Sequence, residues 1–391
     1  MPYRILSLDG GGTWAMLQAM ALGDIYGAAT PGHAILQDFD MAVANSGGSI
    51  VLAGLMLDMT PDQMVGLFLN DAPQIFVKSG VINVVLSAIG LPYPKFSTDG
   101  KLQGLKATLG PQASAALAGF PLPNGPGGQP VKAMISAFDY DRQRAQFFRS
   151  FDSAGGPKAA AIALVDAVNA SADPPVIFFD KPVSLGTPAK RYWDGGVAGY
   201  NNPLMAAVVE AMAARIAPRD IAVRSIGTGT GTIMLAPVGS PNAPAELRLP
   251  GQKSGPITDL KVLAGAILDD PPDSANYVAF NVLGNVMPVP APSIAAPINS
   301  GSLVRLSPCV QPIWNAVASA WSLPAGYTLD GFKTIAGLDL AAIAPDDLQA
   351  IHDLGAAWMS GAMPNQAVLP DPQTLQFIIG DPTYASGKAR W

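Results

Sequence analysis

The strongest constraint on the fold of this chain is an apolar run that ends in three consecutive glycines and passes at once into a helical pattern. Residues 3–8 lead into Asp9-Gly10-Gly11-Gly12, and residues 13–28 then carry helical spacing. The rhythm recurs: residues 40–45 run into Ser46-Gly47-Gly48, followed by an apolar helix through about Met59. Strand, glycine turn and helix, twice over, is the pattern of a parallel α/β sheet, because parallel neighbours must be joined by a crossover. Further strands are expected at 131–138, 145–149, 176–179, 183–185 and 221–226. Helices are expected at 61–71, 101–109, 158–170, 203–217, 259–268, 274–286 and 344–360.

After residue 235 the chain changes character, with Pro, Gly, Ser and Ala filling 236–258 and 288–300. This divides it into a core at 1–235 and a loop-rich, partly helical C-terminal extension at 236–391 packed on that core. With 391 residues, 49% hydrophobic and 13% charged, the chain can bury a sizeable core. The apolar segment 72–96 reads equally as part of that core or as a lid or acyl-chain wall. A net charge of −6 disfavours nucleic acid as a partner. Cys309 is the one cysteine, so no internal disulfide forms. The first residues lack a basic stretch followed by an apolar one, and no uninterrupted apolar run reaches 18 residues. The expectation is a cytoplasmic protein whose membrane contact, if any, is peripheral. Nothing in the sequence sets an oligomeric state.

Ser46 stands on a strand-to-helix turn, where a hydroxyl is lifted clear of the backbone and faces the positive end of a helix. The local string Ala44-Asn45-Ser46-Gly47-Gly48 departs from G-x-S-x-G at its first position, and on this string alone a helix N-cap serine is the better account. Gly10, Gly11 and Gly12 can turn backbone N–H groups toward one point, as an oxyanion hole requires. The same glycines, with Ala15, also fit a dinucleotide turn, although no clear acidic partner follows about 20 residues on. Asp194-Gly195-Gly196 serves either as a plain turn or as the carrier of a general base. The two histidines, His33 in a Pro-Gly loop and His352 on a late helix, both read as structural. A serine hydrolase on this chain therefore uses a Ser–Asp dyad, and a poorly solvated site would raise the aspartate toward a useful basicity. Ser225-Ile226-Gly227-Thr228-Gly229 follows a strand but lacks the lysine of a phosphate-cradling loop. No Cys/His cluster suggests a metal.

Together and in order, these residues resemble the patatin-like phospholipases. Asp9-Gly10-Gly11-Gly12 is similar to the family's oxyanion loop and Asn45-Ser46-Gly47-Gly48 to its nucleophile elbow. Asp194-Gly195-Gly196, continuing to Asn201-Asn202-Pro203, resembles its dyad element. Ser225 to Gly229 resembles a family strand end, and Ala137-Phe138-Asp139-Tyr140-Asp141 its central strand; the match spans roughly residues 3–231. The resemblance implies a three-layer α/β/α domain with a central, mostly parallel sheet, and hydrolysis of lipid carboxylic esters without metal or cofactor. It implies Ser46 as nucleophile, Asp194 as base, and Gly10, Gly11, Gly12 and Gly47 as oxyanion donors. Ala44 replaces the elbow's first glycine, Trp14 stands where the family often has arginine, and Ala15 where glycine is common. These departures bear on substrate preference and efficiency. Rival expectations are a transacylase using the same site, a non-catalytic lipid-binding relative and a dinucleotide-binding enzyme.

Overall fold

Eight strands form one sheet in the computed structural model, which describes residues 1–78, 94–175, 178–229, 254–255, 274–283, 301–315, 318, 320–366 and 380–391. They are β1 (Tyr3–Leu8), β2 (Met41–Ala44), β3 (Lys132–Asp139), β4 (Arg144–Arg149), β5 (Val183–Leu185), β6 (Lys190–Asp194), β7 (Ile221–Ile226) and β8 (Leu303–Leu306). The order is β5-β6-β3-β2-β1-β7-β8, with β4 also pairing β3. The β3-β2-β1-β7-β8 pairings are parallel; β4, β5 and β6 add antiparallel ones. A separate hairpin joins β9 (Ile313–Asn315) to β10 (Ala320–Ser322).

Alternation along the strands sorts their side chains into two cores. Leu6, Leu8, Ala42, Ala44, Ile135, Ile226 and Val304 face a large cluster that includes helices α1 (Met16–Tyr26), α3 (Ser46–Met56), α7 (Leu164–Ser171) and α11 (Pro345–Met359). Ile5, Met41, Val43, Met134, Val223 and Leu303 face the opposite cluster, built with α8 (Leu204–Ala213) and the helix α9 at 274–283. Helices on both faces of a mostly parallel sheet make the three-layer α/β/α arrangement. The remaining helices are α2 (Gly32–Leu36), α4 (Pro61–Gly66), α5 (Ala72–Ile75), α6 (Thr98–Leu109), α10 (Leu329–Ala336) and α12 (Tyr384–Lys388). Among the described residues no helix is long and apolar enough to cross a membrane.

Several local expectations shift. The helix expected from 158 begins at Leu164, because residues 160–163 pair with the 116–118 segment through Ala118 N–H to Ala160 and Leu117 N–H to Ile162. The helix from Pro61 continues past Gly66 as a wide π-turn at Leu67–Asp71 before α5. The helix at 203–217 ends at Ala213, and Arg215 takes a left-handed φ of 66°. Near 176–179, Phe179 makes only an isolated bridge to Phe96. Strand β6 opens on Lys190-Arg191, and β8 is only four residues long, just beyond the proline-rich stretch; both evade an apolar-run search. The division at 235, the expected helix at 259–268, and residues 79–93 of the lid-or-core segment lie outside the described residues.

Candidate active site

The edge of β3 brings the elbow and Asp194 together. β4 pairs β3 from residue 134 through 139, so β2 and β6 share its other edge, β2 along 132–135 and β6 along 137–139. Ala44 lies opposite Ile135 and Asp194 opposite Ala137. The carboxyl ends of β2 and β6 thus meet head to head, two β3 residues apart. At that junction Asn45 is extended and Ser46, the first residue of α3, is left-handed, with φ 49°. A non-glycine residue held at positive φ is strained and persists only where its surroundings enforce it.

Those surroundings are hydrogen-bonded throughout. The Ser46 N–H donates to Ser171 Oγ at 2.8 Å, and Ser49 Oγ donates to the Ser46 carbonyl at 2.6 Å. Asn45 Nδ2 donates to Asp194 Oδ1 at 3.0 Å, while Ser136 Oγ holds the other end of that amide at 2.7 Å. The Gly196 N–H also reaches Asp194 Oδ1, at 2.7 Å. Asp194 is buried and lines the same cavity as Ser46. Burial pushes its pKa above the ordinary carboxylate value; the nearby Ser46 hydroxyl, the bonds from Gly196 and Asn45 and the charge of Lys101 oppose that rise.

The glycine loop after β1 crosses the first turn of α3. A Cβ on Gly47 would stand 2.2 Å from the Gly12 carbonyl oxygen, so side chains are excluded where loop and elbow touch. Gly12 has φ 57°. Gly11, Gly12 and Gly47 line the cavity above Ser46, and among the described residues their N–H groups have no acceptor. Gly10 departs from expectation: its N–H is committed to the Asn201 carbonyl at 2.8 Å, so it packs beneath the site and offers no donor.

The loop is fastened from elements remote in sequence. Arg305 on β8 makes a two-pronged contact with Asp9, at 2.8 and 2.5 Å, and also bonds Ser225 Oγ at 2.7 Å. Thr228 Oγ1 donates to the Gly10 carbonyl at 2.8 Å, which assigns Ser225–Gly229 to buttressing the loop. Gln18 Nε2 donates to the carbonyls of Asp9 and Ile226. Leu340 accepts from the Thr13 N–H at 2.9 Å. Sequence reasoning missed Ser171, Ser136, Arg305 and Leu340, none of which stands in a recognisable string.

The cavity above Ser46 is narrow, with about 30 Å³ open to the centre of a water-sized molecule. Its walls are apolar: Ile50, Phe76, Ala172, Phe179, Leu340 and Ala341 among them. Phe76, Phe96 and Phe179 stack edge to face or tilted, with centroids 5.7–6.3 Å apart. Asp194 is the one ionisable side chain among the described lining residues. Neither histidine lines it: His33 Nε2 lies 2.8 Å from the Met56 carbonyl, and His352 Nδ1 lies 3.6 Å from Asp353. Among the described residues no group of three His, Cys, Asp or Glu side chains is placed to hold a metal ion.

Comparison with known proteins places the chain among others. The family model described as patatin-like phospholipase matches residues 6–208. No curated protein matches. Among solved structures, VipD from Legionella pneumophila aligns with 91% of this chain and 67% of its own, at 11% identity and TM-score 0.35. Human GIVD cytosolic phospholipase A2 aligns with 90% of this chain at 10% identity and TM-score 0.39, and this chain spans only 58% of the human one.

Proposed function

This chain belongs to the patatin-like phospholipase family, and from that premise we propose that it hydrolyses carboxylic esters of phospholipids or other lipids through a Ser46–Asp194 dyad. The observation that supports this most is the juxtaposition itself: a serine held left-handed on an elbow and a buried carboxylate lining the same apolar cavity.

In this reading Asp194 accepts the Ser46 proton as Oγ attacks the ester carbonyl. Its raised basicity suits that task, because an ordinary aspartate is too weakly basic to deprotonate a hydroxyl efficiently. Two of the ligands to Oδ1, from Asn45 and Gly196, hold the carboxylate so that it faces the hydroxyl. Negative charge on the tetrahedral oxygen falls to the N–H groups of Gly11, Gly12 and Gly47, aided by the amino end of α3. The alcohol leaves with the proton from Asp194, and the acyl chain remains on Ser46 against the aromatic wall. Water, deprotonated by Asp194, then releases the fatty acid.

The test is to incubate wild type, Ser46→Ala and Asp194→Asn with a medium-chain chromogenic ester and a fluorescent phospholipid, with and without a chelator. Activity in wild type, its loss in both variants and indifference to chelator are the expected results. A fully active Ser46→Ala places the nucleophile elsewhere and ends the proposal. Adding an alcohol acceptor and analysing products separates hydrolysis from transacylation.

A further inference from the structure

Close to Asp194, but not lining the cavity, lies a lysine that the chemistry above does not use. Lys101, on the first turn of α6, is fully buried. Lysine is almost never buried without partners, and this one has several. Its ammonium donates to the carbonyls of Asn169 at 2.8 Å and Ala172 at 2.7 Å, and to Asp173 Oδ1 at 2.5 Å. It also sits 4.1 Å above the ring of Phe179, a wall of the cavity.

The segment Lys101 grips is the carboxyl end of α7, where a cation is favoured by the helix dipole. That same segment holds both members of the dyad by their backbones. Ser171 Oγ accepts from the Ser46 N–H at 2.8 Å, and the Asp173 carbonyl accepts from the Asp194 N–H at 3.1 Å. One ammonium therefore fastens the turn that sets the spacing of Ser46 and Asp194. The titratable groups facing it are Asp173 at the end of α7, Asp194 at the end of β6, and Asp180 in the loop before β5. Burial pushes Asp173 up to about 7, against the pull of Lys101. Burial likewise pushes the Lys101 ammonium down, and the charge of Asp173 opposes that shift.

We propose that Lys101 is a positioning residue of this site, holding the Ser171–Asp173 turn against Ser46 and Asp194 and setting its ammonium charge on the Asp194 side of that turn. The kinetic part rests on the hydrolase reading; the titration part does not.

The experiment compares wild type, Lys101→Met, Lys101→Arg and the doubly neutral Lys101→Met/Asp173→Leu. The last replaces the buried pair with apolar groups, an exchange that proteins often tolerate where loss of one partner unfolds them. Two quantities are read: kcat and KM for the chromogenic ester across pH, and the titration midpoint of the Asp194 carboxyl by ¹³C NMR with labelled aspartate. The Asp194 signal is assigned by its loss in Asp194→Asn. Loss of the charge should move the Asp194 midpoint, and the acid limb of kcat/KM, up by about one pH unit in Lys101→Met and by less in the double variant, where the Asp173 carboxylate that opposes Lys101 is removed as well. In those variants kcat should fall roughly tenfold with KM unchanged, because Lys101 does not line the cavity. Lys101→Arg should keep the wild-type midpoint even where it melts earlier. A midpoint unmoved in every folded neutral variant would reduce Lys101 to a structural residue and overturn the proposal. Should wild type prove inert toward esters, the hydrolase reading fails while the NMR midpoint still decides the role of Lys101.

Discussion

Ser46 is held at φ 49° by what surrounds it: a hydroxyl from Ser171 on its N–H, a hydroxyl from Ser49 on its carbonyl, and α3 beyond it. Such a residue stores on the order of 1–3 kcal/mol of backbone strain, and its side chain is displayed as a consequence. Ser46→Ala keeps that backbone and loses only the hydroxyl. It should lower ester turnover by at least about 10³-fold, while thermal unfolding shifts by no more than about 1 kcal/mol; activity assays beside a melting curve test both. The proposed base has a pH signature. Asp194 must be ionised to accept a proton, and its pKa is raised, so kcat/KM should climb with pH through a midpoint above the ordinary value of about 3.9. An acid limb at or below that value contradicts the assignment. Gly47→Ala places a methyl 2.2 Å from the Gly12 carbonyl and must push the loop aside. A loss of about 10²–10³ in kcat is expected if the displaced N–H groups serve the oxyanion.

At the scale of elements, β3 acts as a ruler, because β2 and β6 pair with successive stretches of one edge. A slip of one residue in β6 would send Asp194 to the other face, so the register is part of the site. The loop after β1 depends similarly on β8. Arg305→Leu leaves Asp9 buried without its cation, and such a loss costs roughly 3–5 kcal/mol. The midpoint of urea unfolding should fall accordingly, and activity with it, since Asp9 leads directly into the glycine loop. A wild-type unfolding midpoint in this variant would mean that the pair contributes nothing to holding the loop.

Across the whole molecule, residues after 300 belong to the sheet and to the cavity. β8 pairs β7, Leu340 and Ala341 form part of the wall, and Gly355 of α11 packs on Leu17 and Met20 of α1. A fragment ending at residue 235 would expose the β7 edge and the apolar face of α1, and an unpaired hydrophobic edge is an aggregation template. It should be recovered as insoluble, inactive material; a soluble fragment with wild-type turnover would show that the later residues are dispensable.

The amino-acid sequence alone determined the parts that are local. Asp9-Gly10-Gly11-Gly12 and Ser46-Gly47-Gly48 mark strand-to-helix turns because glycine permits backbone that other residues resist, and two such turns in order imply a parallel sheet. Ser46 and Asp194 were legible for the same reason: each stands in a short string whose turn presents it. The tertiary structure decided what crosses the chain. The shared edge of β3 places Asp194 beside a serine 148 positions earlier. Gly10 loses its donor to the Asn201 carbonyl, a bond that depends on how two loops stack and leaves no mark near Gly10. Ser171, Arg305 and Lys101 gain their roles from partners tens to hundreds of residues away. Local strings encode backbone conformation, whereas burial and pairing belong to the packed whole.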